Sequence, residues 1–203
     1  MYLDTGATYR TLAYAVRQRQ LDAVADVKAI AGMARTLPIE LRVAADGTLQ
    51  VRLDGADITT DIRTEEVTEM AALISQHAPV RVAMVKRQRE LADRQGVVVE
   101  GRDTGSVVFP HATHKFFLEA DTMVRARRRQ REIERMYGSQ PPLKQVRGQL
   151  VFRDGLDRNR RVGPLVKPAG AVTIDTTHRT AAQVVRLMLR YIRSDRHFAR
   201  LAK

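Results

Sequence analysis

The sequence predicts an α/β fold in which a parallel sheet is flanked by helices. Three observations support this fold class: apolar, strand-like runs alternate with helical patterns, one segment alternates apolar and polar residues around a turn, and one helical pattern is crowded with arginine. Parallel strands need long crossover connections, which helices usually supply. The alternating segment therefore predicts a small antiparallel β insert beside the parallel sheet.

The first part of the chain predicts a strand, three helices and a hairpin. Residues 2–4 end a short strand, and an apolar face predicts one amphipathic helix over residues 7–33. Residues 39–43 and 49–53 alternate around Asp46-Gly47, which is a strong hairpin signal. A helix starting at Thr64 and ending near Gln76, a break at Pro79, and a helix from Val80 to about Arg94 complete this part.

The second part predicts the main sheet and the basic helices. Residues 97–99 and 115–119 are apolar enough for fully buried strands, and residues 106–110 predict an apolar loop between them. A very basic helix starts near Asp121 and ends at Gly138. A short helix over residues 143–151, a last strand over 171–175 and a last helix over 180–192 follow.

Composition limits the function classes. The 203 residues carry 35 Lys and Arg against 23 Asp and Glu, a net charge of +12, which predicts an anionic partner. An aromatic content of 5% is low for a platform that stacks nucleic-acid bases. The absence of cysteine excludes disulfides and thiolate metal sites and favours the cytoplasm. His111 and His114 lack further ligands nearby, and no run is long enough to span a membrane, so we expect neither a metal site nor membrane insertion.

Arginine-bearing clusters are the candidate binding sites. Arg102 and Asp103 follow a predicted strand, at the sheet edge where α/β proteins bind ligands, although a structural ion pair between them is an equal alternative. Arg153, Asp157 and Arg160 have the spacing of one helix face, and a simple salt-bridge ladder is again the alternative. Arg81, in the first turn of its helix, is expected to point into a cleft.

The chemistry that these residues favour is phosphoryl transfer. The sequence shows no Ser-His-Asp, Cys-His or paired-carboxylate pattern that would support hydrolysis. Phosphoryl transfer depends mainly on positioning and charge neutralisation, for which arginines are suited. A phosphate acceptor is already ionised near neutral pH, since its second pKa is about 6, and it needs no general base.

Six motifs in the same order and spacing resemble the bacterial cytidylate kinase family. They begin at Leu3, Ile62, Val80, Gly101, Arg153 and Pro164, and together they cover the chain to about Ile192. The resemblance implies a P-loop-kinase-like fold and the transfer of the ATP γ-phosphoryl group, with Mg²⁺, to CMP or dCMP. It also implies a monomer with a kinase core (residues 1–38 and 95–203), a nucleoside-monophosphate-binding insert (39–94) and an Arg-rich helical lid (about 122–161).

The resemblance assigns roles to individual residues. Thr5, Arg10 and Arg102 match those that hold the acceptor phosphate, and Arg81 and Asp103 match the pair that reads cytosine. A carboxylate can accept from the exocyclic amine of cytosine, a donor that uracil lacks. Sugar contacts match Arg153 and Asp157, and a nearby arginine matches Arg160. The lid arginines that would close over the ATP phosphates are Arg125, Arg128 and Arg129. The arginines that would act in catalysis are Arg128, Arg153 and Arg160.

Two departures from the family pattern accompany this resemblance. Ala72 stands where the family usually has a serine, and Ser75 is the candidate to replace its hydrogen bond. The family's first strand and Gly-rich phosphate loop, a unit of roughly 30 residues, have no match here. We expect either an incomplete chain of an ordinary kinase or a degenerate CMP-binding homologue, and little transfer by the 203 residues alone. A basic nucleic-acid-binding protein that uses Arg125 to Arg131 is the remaining alternative.

Overall fold

The computed structural model describes residues 1–92 and 96–195 and has the predicted α/β architecture. The chain forms two compact units. The first comprises Met1–Pro110 and Leu156–Val166, and the second comprises His111–Gly155 and the described residues from Lys167 onward. Each unit contains a pair of parallel strands, and the first also contains the small antiparallel sheet.

The first unit begins with a strand that leads directly into a helix. Strand β1 (Tyr2–Asp4) pairs in parallel with β5 (Val98–Glu100). Helix α1 (Thr5–Gln18) follows without a loop, because the Asp4 carboxylate caps it by accepting from the Ala7 amide at 2.8 Å. Asp4 thus ends the strand and starts the helix.

The prediction of one helix over residues 7–33 is wrong. The structure has α1 and a separate α2 (Val27–Thr36). Gln20 has a left-handed backbone (φ 53°), and the Asp22 carboxylate accepts from the amides of Val24 and Ala25. These local hydrogen bonds compete with the helical ones, which is how Asp ends or delays helices. The apolar periodicity continues across the break because both helices bury residues in the same core.

The antiparallel insert is confirmed and has one strand more than predicted. Strands β2 (Ile39–Val43) and β3 (Leu49–Leu53) pair in antiparallel register, and β4 (Ala56–Asp57) pairs with β3. Ile39 and Val51 are buried in the core of the first unit. The alternating pattern therefore marks a sheet with one buried face.

Two further helices carry predicted site residues to the core. After a 3₁₀ turn (Asp61–Arg63), α3 (Glu65–Ile74) is capped by Thr64, whose hydroxyl accepts from the Val67 amide at 3.4 Å. Helix α4 (Ala78–Ala92) has Pro79 in its first turn, where a missing amide hydrogen is tolerated. A break between the two helices is confirmed, but it lies at residues 75–77 and not at Pro79, which belongs to α4. The predicted helix end near Arg94 lies outside the described residues.

The strands of the parallel pairs are less buried than predicted. Val98 in β5 is 69% exposed, and in β6 (Phe116–Glu119), which pairs in parallel with β7 (Val172–Asp175), Leu118 is exposed too. Each parallel sheet has only two strands in the part of the chain that the structure describes. A strand there has a hydrogen-bonded neighbour on one side only, so apolar composition overestimates its burial.

The segment after β5 is a helical turn rather than the predicted loop. Residues Thr104–Val108 form a π-helical turn in which the amides of Val107 and Val108 both bond to the Asp103 carbonyl. Val108 is buried, and Arg89 donates to the carbonyls of Val107 and Val108 at 2.8 Å. The turn is therefore fixed against α4 at the point where the β5 strand ends.

The second unit carries the basic helices. Helix α5 (Thr122–Tyr137) starts at the Asp121 cap and ends at Gly138, which is left-handed (φ 66°), as predicted. Helix α6 (Leu143–Asn159) is longer than the predicted 143–151, because it continues through Gly155. A Cβ at Gly155 would meet no atom within 4 Å. Helix α7 (Ala181–Ser194) starts with a capping box of Thr180 and Gln183. None of the helices in the described ranges is long and apolar enough to cross a bilayer.

Candidate active site

The carboxyl ends of β1 and β5 are locked together by a threonine and a glycine. The Thr5 hydroxyl is buried and donates to the Glu100 carbonyl at 2.8 Å. A Cβ on Gly101 would overlap the Thr5 hydroxyl oxygen, so only glycine fits at this position. Arg102 and Asp103 follow this contact directly in sequence.

Asp103 forms a buried ion pair with Arg81 instead of with its neighbour Arg102. The Arg81 and Asp103 side chains are 2% and 7% exposed, and an Arg81 Nη2 hydrogen bonds to Asp103 Oδ2. Arg81 Nη1 also donates to the Ser75 carbonyl at 3.4 Å. The first turn of α4 therefore delivers a guanidinium to the end of β5, as the sequence predicts, and the alternative of an Arg102–Asp103 pair is wrong.

Two residues from the C-terminal end of α6 complete the group. Arg160 Nη2 lies 3.6 Å from Asp103 Oδ1, and Arg160 Nη1 lies 3.3 Å from Asp157 Oδ1. Arg102 Nε lies 3.1 Å from Asp157 Oδ2. We call Arg81, Arg102, Asp103, Asp157 and Arg160 the charge cluster.

The charge cluster has the electrostatics of an anion-binding site. Its three guanidinium groups and two carboxylates leave one positive charge in excess. Burial, followed by the neighbouring Arg81 charge, lowers the pKa of Arg160 below its ordinary value. Two adjacent guanidiniums repel each other, and an anionic ligand would relieve that repulsion.

Gly163 packs directly against the charge cluster, and no pattern in the sequence predicted this contact. Its carbonyl accepts from Arg160 Nε, and its backbone is left-handed (φ 61°). A Cβ here would lie 2.5 Å from both Arg81 Nη2 and Asp103 Oδ2. The Gly163-Pro164 pair signals a turn in the sequence, but the close approach to Arg81 depends on packing between distant segments.

Tyr9 is a second residue that the sequence did not single out as a ligand contact. The Arg81 guanidinium carbon lies 5.8 Å from the centre of its ring, a cation–π distance. The Tyr9 hydroxyl oxygen is buried and has no hydrogen-bond partner among the described residues. Burial, more than the charges of Arg81, Asp103 and Arg160, raises the pKa of the Tyr9 phenol to about 12.

Arg10 is held at the start of α1 by the capping residue. Arg10 Nη2 lies 2.9 Å from Asp4 Oδ2, while the other oxygen of Asp4 accepts from the Ala7 amide. The Arg10–Asp4 pair is half-buried and lies in the first unit, as does the buried Thr5 that follows Asp4 in sequence. Both predicted phosphate contacts of α1 thus have a fixed starting geometry.

A groove of about 490 Å³ reaches Arg81 from the outer side of α4. Four valines and four charged residues line it, namely Val82, Val85, Val107 and Val162, and Arg81, Lys86, Arg89 and Glu90. Arg81 is the one member of the charge cluster among them. Apolar surface mixed with charged side chains suits a ligand that has both a flat apolar face and polar edges.

The predicted lid arginines belong to the second unit and have protein partners. Arg125 binds Asp154 through two hydrogen bonds of 2.5 and 2.9 Å, which raise the pKa of the Arg125 guanidinium. Arg128 donates to the carbonyls of Thr176 and Arg179 at 2.6 and 3.3 Å. Arg129 pairs with Glu132 at 2.8 Å on the surface. Arg153 lies half-buried on α6, one turn before Asp157.

Comparison with known proteins identifies the family. The family model described as cytidylate kinase matches residues 1–194. The chain belongs to the cytidylate kinase family. A cytidylate kinase of Desulforamulus reducens is 38% identical over 192 residues, which are 95% of this chain and 85% of the relative. A cytidylate kinase of a Geobacillus species is 41% identical over 186 residues, which are 91% of this chain and 81% of the relative.

The family membership confirms the resemblance drawn from the six motifs. A third cytidylate kinase, from Klebsiella pneumoniae, is 38% identical over 191 residues, covering 94% of this chain and 83% of the relative. Members of a kinase family transfer a phosphoryl group from ATP. The P-loop-kinase type of α/β fold and the phosphotransferase class are therefore correct predictions.

The described residues offer no ready-made magnesium site. Over residues 1–92 and 96–195, no three His, Asp or Glu side chains are grouped so that they could hold a metal ion. Mg²⁺ commonly keeps several waters and binds substrate phosphates with only one or two protein carboxylates. The carboxylates and histidines in these described ranges therefore do not form a magnesium cage.

Proposed function

We propose that this cytidylate kinase family member transfers the γ-phosphoryl group of ATP, supplied as its magnesium complex, to CMP or dCMP. The observation that carries the proposal is the charge cluster: residues from β5, α4 and the end of α6 converge, although they are far apart in sequence. Such convergence is the arrangement needed to hold one small ligand that combines an anion with polar edges.

The proposed base contact uses Asp103 and Arg81. The Asp103 carboxylate would accept from the exocyclic amine of cytosine, and Arg81 would donate to the acceptor atoms beside it. Arg81 is fixed by Asp103 and by the Ser75 carbonyl, so little side-chain freedom remains to be lost on binding. Uracil presents no amine at this position, and a buried carboxylate would then lose its donor.

The acceptor phosphate and the sugar have separate candidate partners. We assign the phosphate to Thr5, Arg10 and Arg102, which surround the carboxyl ends of β1 and β5. We assign the sugar to Arg153 and Asp157, which lie one helical turn apart on α6. Asp157 already accepts from Arg160, so a sugar hydroxyl would add to an existing ion pair.

The transfer step needs positive charge and no general base. We assign Arg128, Arg153 and Arg160 to neutralise the charge that develops on the moving phosphoryl group. Arg125, Arg128 and Arg129 are the proposed contacts of the ATP phosphates. Since Arg125 and Arg128 are bound to protein oxygens in the structure, ATP phosphates would have to replace those oxygens as their partners.

The proposal extends to the organisation of the chain. We propose a kinase core of residues 1–38 and 95–203, a monophosphate-binding insert of residues 39–94 and a lid of about 122–161. The insert contains the antiparallel sheet, α3 and α4, and the lid contains α5 and α6. We further propose that the protein acts as a cytoplasmic monomer whose substrates are small nucleotides.

The test measures both nucleotide binding and phosphoryl transfer by the purified protein. Calorimetry with CMP, dCMP, UMP and AMP should give a dissociation constant at least about tenfold lower for the two cytidine nucleotides. With ATP and Mg²⁺, formation of CDP with matching release of ADP would show that these 203 residues suffice for transfer, and it would overturn the expectation of little transfer by them alone. Selective binding with little transfer would keep both the incomplete kinase and the CMP-binding homologue as explanations, and binding of duplex oligonucleotides but not CMP would favour the nucleic-acid alternative.

A further inference from the structure

Tyr9 lies beside the charge cluster with its polar atom unused. Its ring packs against the core of the first unit and faces the Arg81 guanidinium at 5.8 Å. Its hydroxyl is shielded from water, yet no donor or acceptor in the described part of the chain bonds to it. An unpaired buried hydroxyl destabilises a protein, so such a group calls for an explanation.

The neighbouring polar atoms share this property. Arg81 Nε and Arg160 Nη2 are also buried without a hydrogen bond among the described residues. Both belong to the guanidiniums that bind Asp103, the proposed base-reading carboxylate. Of the six buried side-chain atoms without a hydrogen bond in the described part of the chain, four belong to Tyr9 or to the charge cluster, and the other two are Arg10 Nε and Arg87 Nε. A ligand that offers acceptors beside Asp103 would satisfy the donors of the first group.

The Tyr9 phenol is restricted to the role of a donor or acceptor in its neutral form. Burial raises its pKa to about 12, so it keeps its proton throughout the physiological pH range. Near two guanidiniums, which already supply donors, a neutral hydroxyl can approach a ligand acceptor without adding charge. The ring meanwhile stabilises Arg81 through the cation–π contact, which does not require the hydroxyl.

We infer that the Tyr9 hydroxyl donates a hydrogen bond to an acceptor on the pyrimidine ring, the ring nitrogen or the carbonyl oxygen, when CMP occupies the charge cluster. This inference rests on the proposed function, because it requires the base to lie beside Arg81 and Asp103. Tyr9 then acts as a ligand contact that favours a base with acceptors next to the amine read by Asp103.

Tyr9→Phe is the test, because it removes the hydroxyl and keeps the ring. Thermal unfolding without ligand should show an unchanged or higher midpoint, since an unpaired buried polar atom is lost. The dissociation constant for CMP should rise about fivefold to tenfold, the usual worth of one neutral hydrogen bond. Tyr14→Phe is the matched control on the same helix, and it should leave CMP binding unchanged.

Ribose 5-phosphate separates a base contact from a sugar or phosphate contact. Its affinity, measured at millimolar concentration by thermal shift, should be the same for the wild type and Tyr9→Phe. If the wild type binds CMP and Tyr9→Phe binds it equally tightly, the inference is overturned and the proposed function stays intact. A clear fall in the ligand-free midpoint, or an equal loss for ribose 5-phosphate, would also overturn it. A wild type that does not bind CMP would overturn both.

Discussion

Two aspartate–arginine pairs, one in each unit, show how differently the same chemistry can be used. Arg81 and Asp103 in the first unit are 2% and 7% exposed, and they lie close to a second arginine and to polar atoms that have no hydrogen-bond partner among the residues that the structure describes. Arg125 and Asp154 in the second unit are 27% and 10% exposed and form a two-point hydrogen-bonded pair.

The comparison distinguishes a site that awaits a ligand from an interaction that is already complete. In the charge cluster the positive groups outnumber the carboxylates, and Arg160 has a lowered pKa because of burial and Arg81. In the Arg125–Asp154 pair the hydrogen bonds raise the pKa of the arginine instead. The two sites therefore differ in how their arginines are compensated: burial dominates at Arg160, whereas hydrogen bonds to Asp154 dominate at Arg125.

The largest effect is expected from Asp103→Asn, which removes the carboxylate and leaves two buried guanidiniums. Breaking a buried ion pair from one side costs about 3–5 kcal/mol. Urea unfolding should show a loss of stability in this range, and calorimetry should show the dissociation constant for CMP rising by at least about 30-fold. The affinity for ATP should not change.

The base preference provides the control for Asp103→Asn. The asparagine amide can donate to the uracil carbonyl as well as accept from the cytosine amine, so the variant should lose its preference for CMP over UMP. If Asp103 had a purely structural role, the substitution would lower the affinity for both nucleotides equally. Asp103→Asn combined with Arg81→Met should recover part of the lost stability, since it replaces a buried charge by an apolar side chain. A double variant as unstable as the single one would contradict this account of the pair.

A smaller effect is expected from Gly163→Ala, which tests whether the charge cluster tolerates an added methyl group. The left-handed backbone costs about 1 kcal/mol for alanine, and the contacts at 2.5 Å to Arg81 and Asp103 add to it. We expect a total loss of about 2–3 kcal/mol in urea unfolding together with weaker CMP binding.

Gly138→Ala is the matched control for Gly163→Ala. Gly138 has nearly the same backbone, φ 66° against 61°, but a Cβ there meets nothing within 4 Å. It should lose about 1 kcal/mol and bind CMP normally. Equal losses for the two variants would mean that the charge cluster adjusts freely around residue 163, and the proposed close fit would be wrong.

Sequence patterns predicted the members of the site better than their contacts. Arg81, Asp103 and Arg160 follow from helix and strand ends and from the family motifs. The resemblance grouped Arg81 with Asp103, but the residues alone left the adjacent Arg102 as an equal partner, because only folding brings the distant arginine close. Tyr9 and Gly163 were missed for the same reason: their roles arise where α1, α4 and the turn after α6 meet.

The errors in the fold have a related physical origin. The apolar periodicity over residues 7–33 records which residues are buried, and it does not register the left-handed Gln20 and the Asp22 hydrogen bonds that divide the helix. The valines of β5 indicate a buried strand, but the exposed fraction of Val98 also depends on how many strands pair with β5. The helix starts at Asp121 and Thr180 were predicted correctly, and the structure shows that both residues cap their helices through local hydrogen bonds.

The smallest effect is expected from Asp154→Asn, which would show whether the second pair restrains a nucleotide-binding arginine. The Arg125–Asp154 pair is partly exposed, so its loss should change stability by about 1 kcal/mol or less. If Arg125 must leave Asp154 to reach the ATP phosphates, weakening the pair should lower the dissociation constant for ATP about twofold to fivefold. The matched comparison is Asp103→Asn, which should leave ATP binding unchanged. Weaker ATP binding by Asp154→Asn would instead mean that the pair holds Arg125 in its binding position, and both units would then present preformed sites.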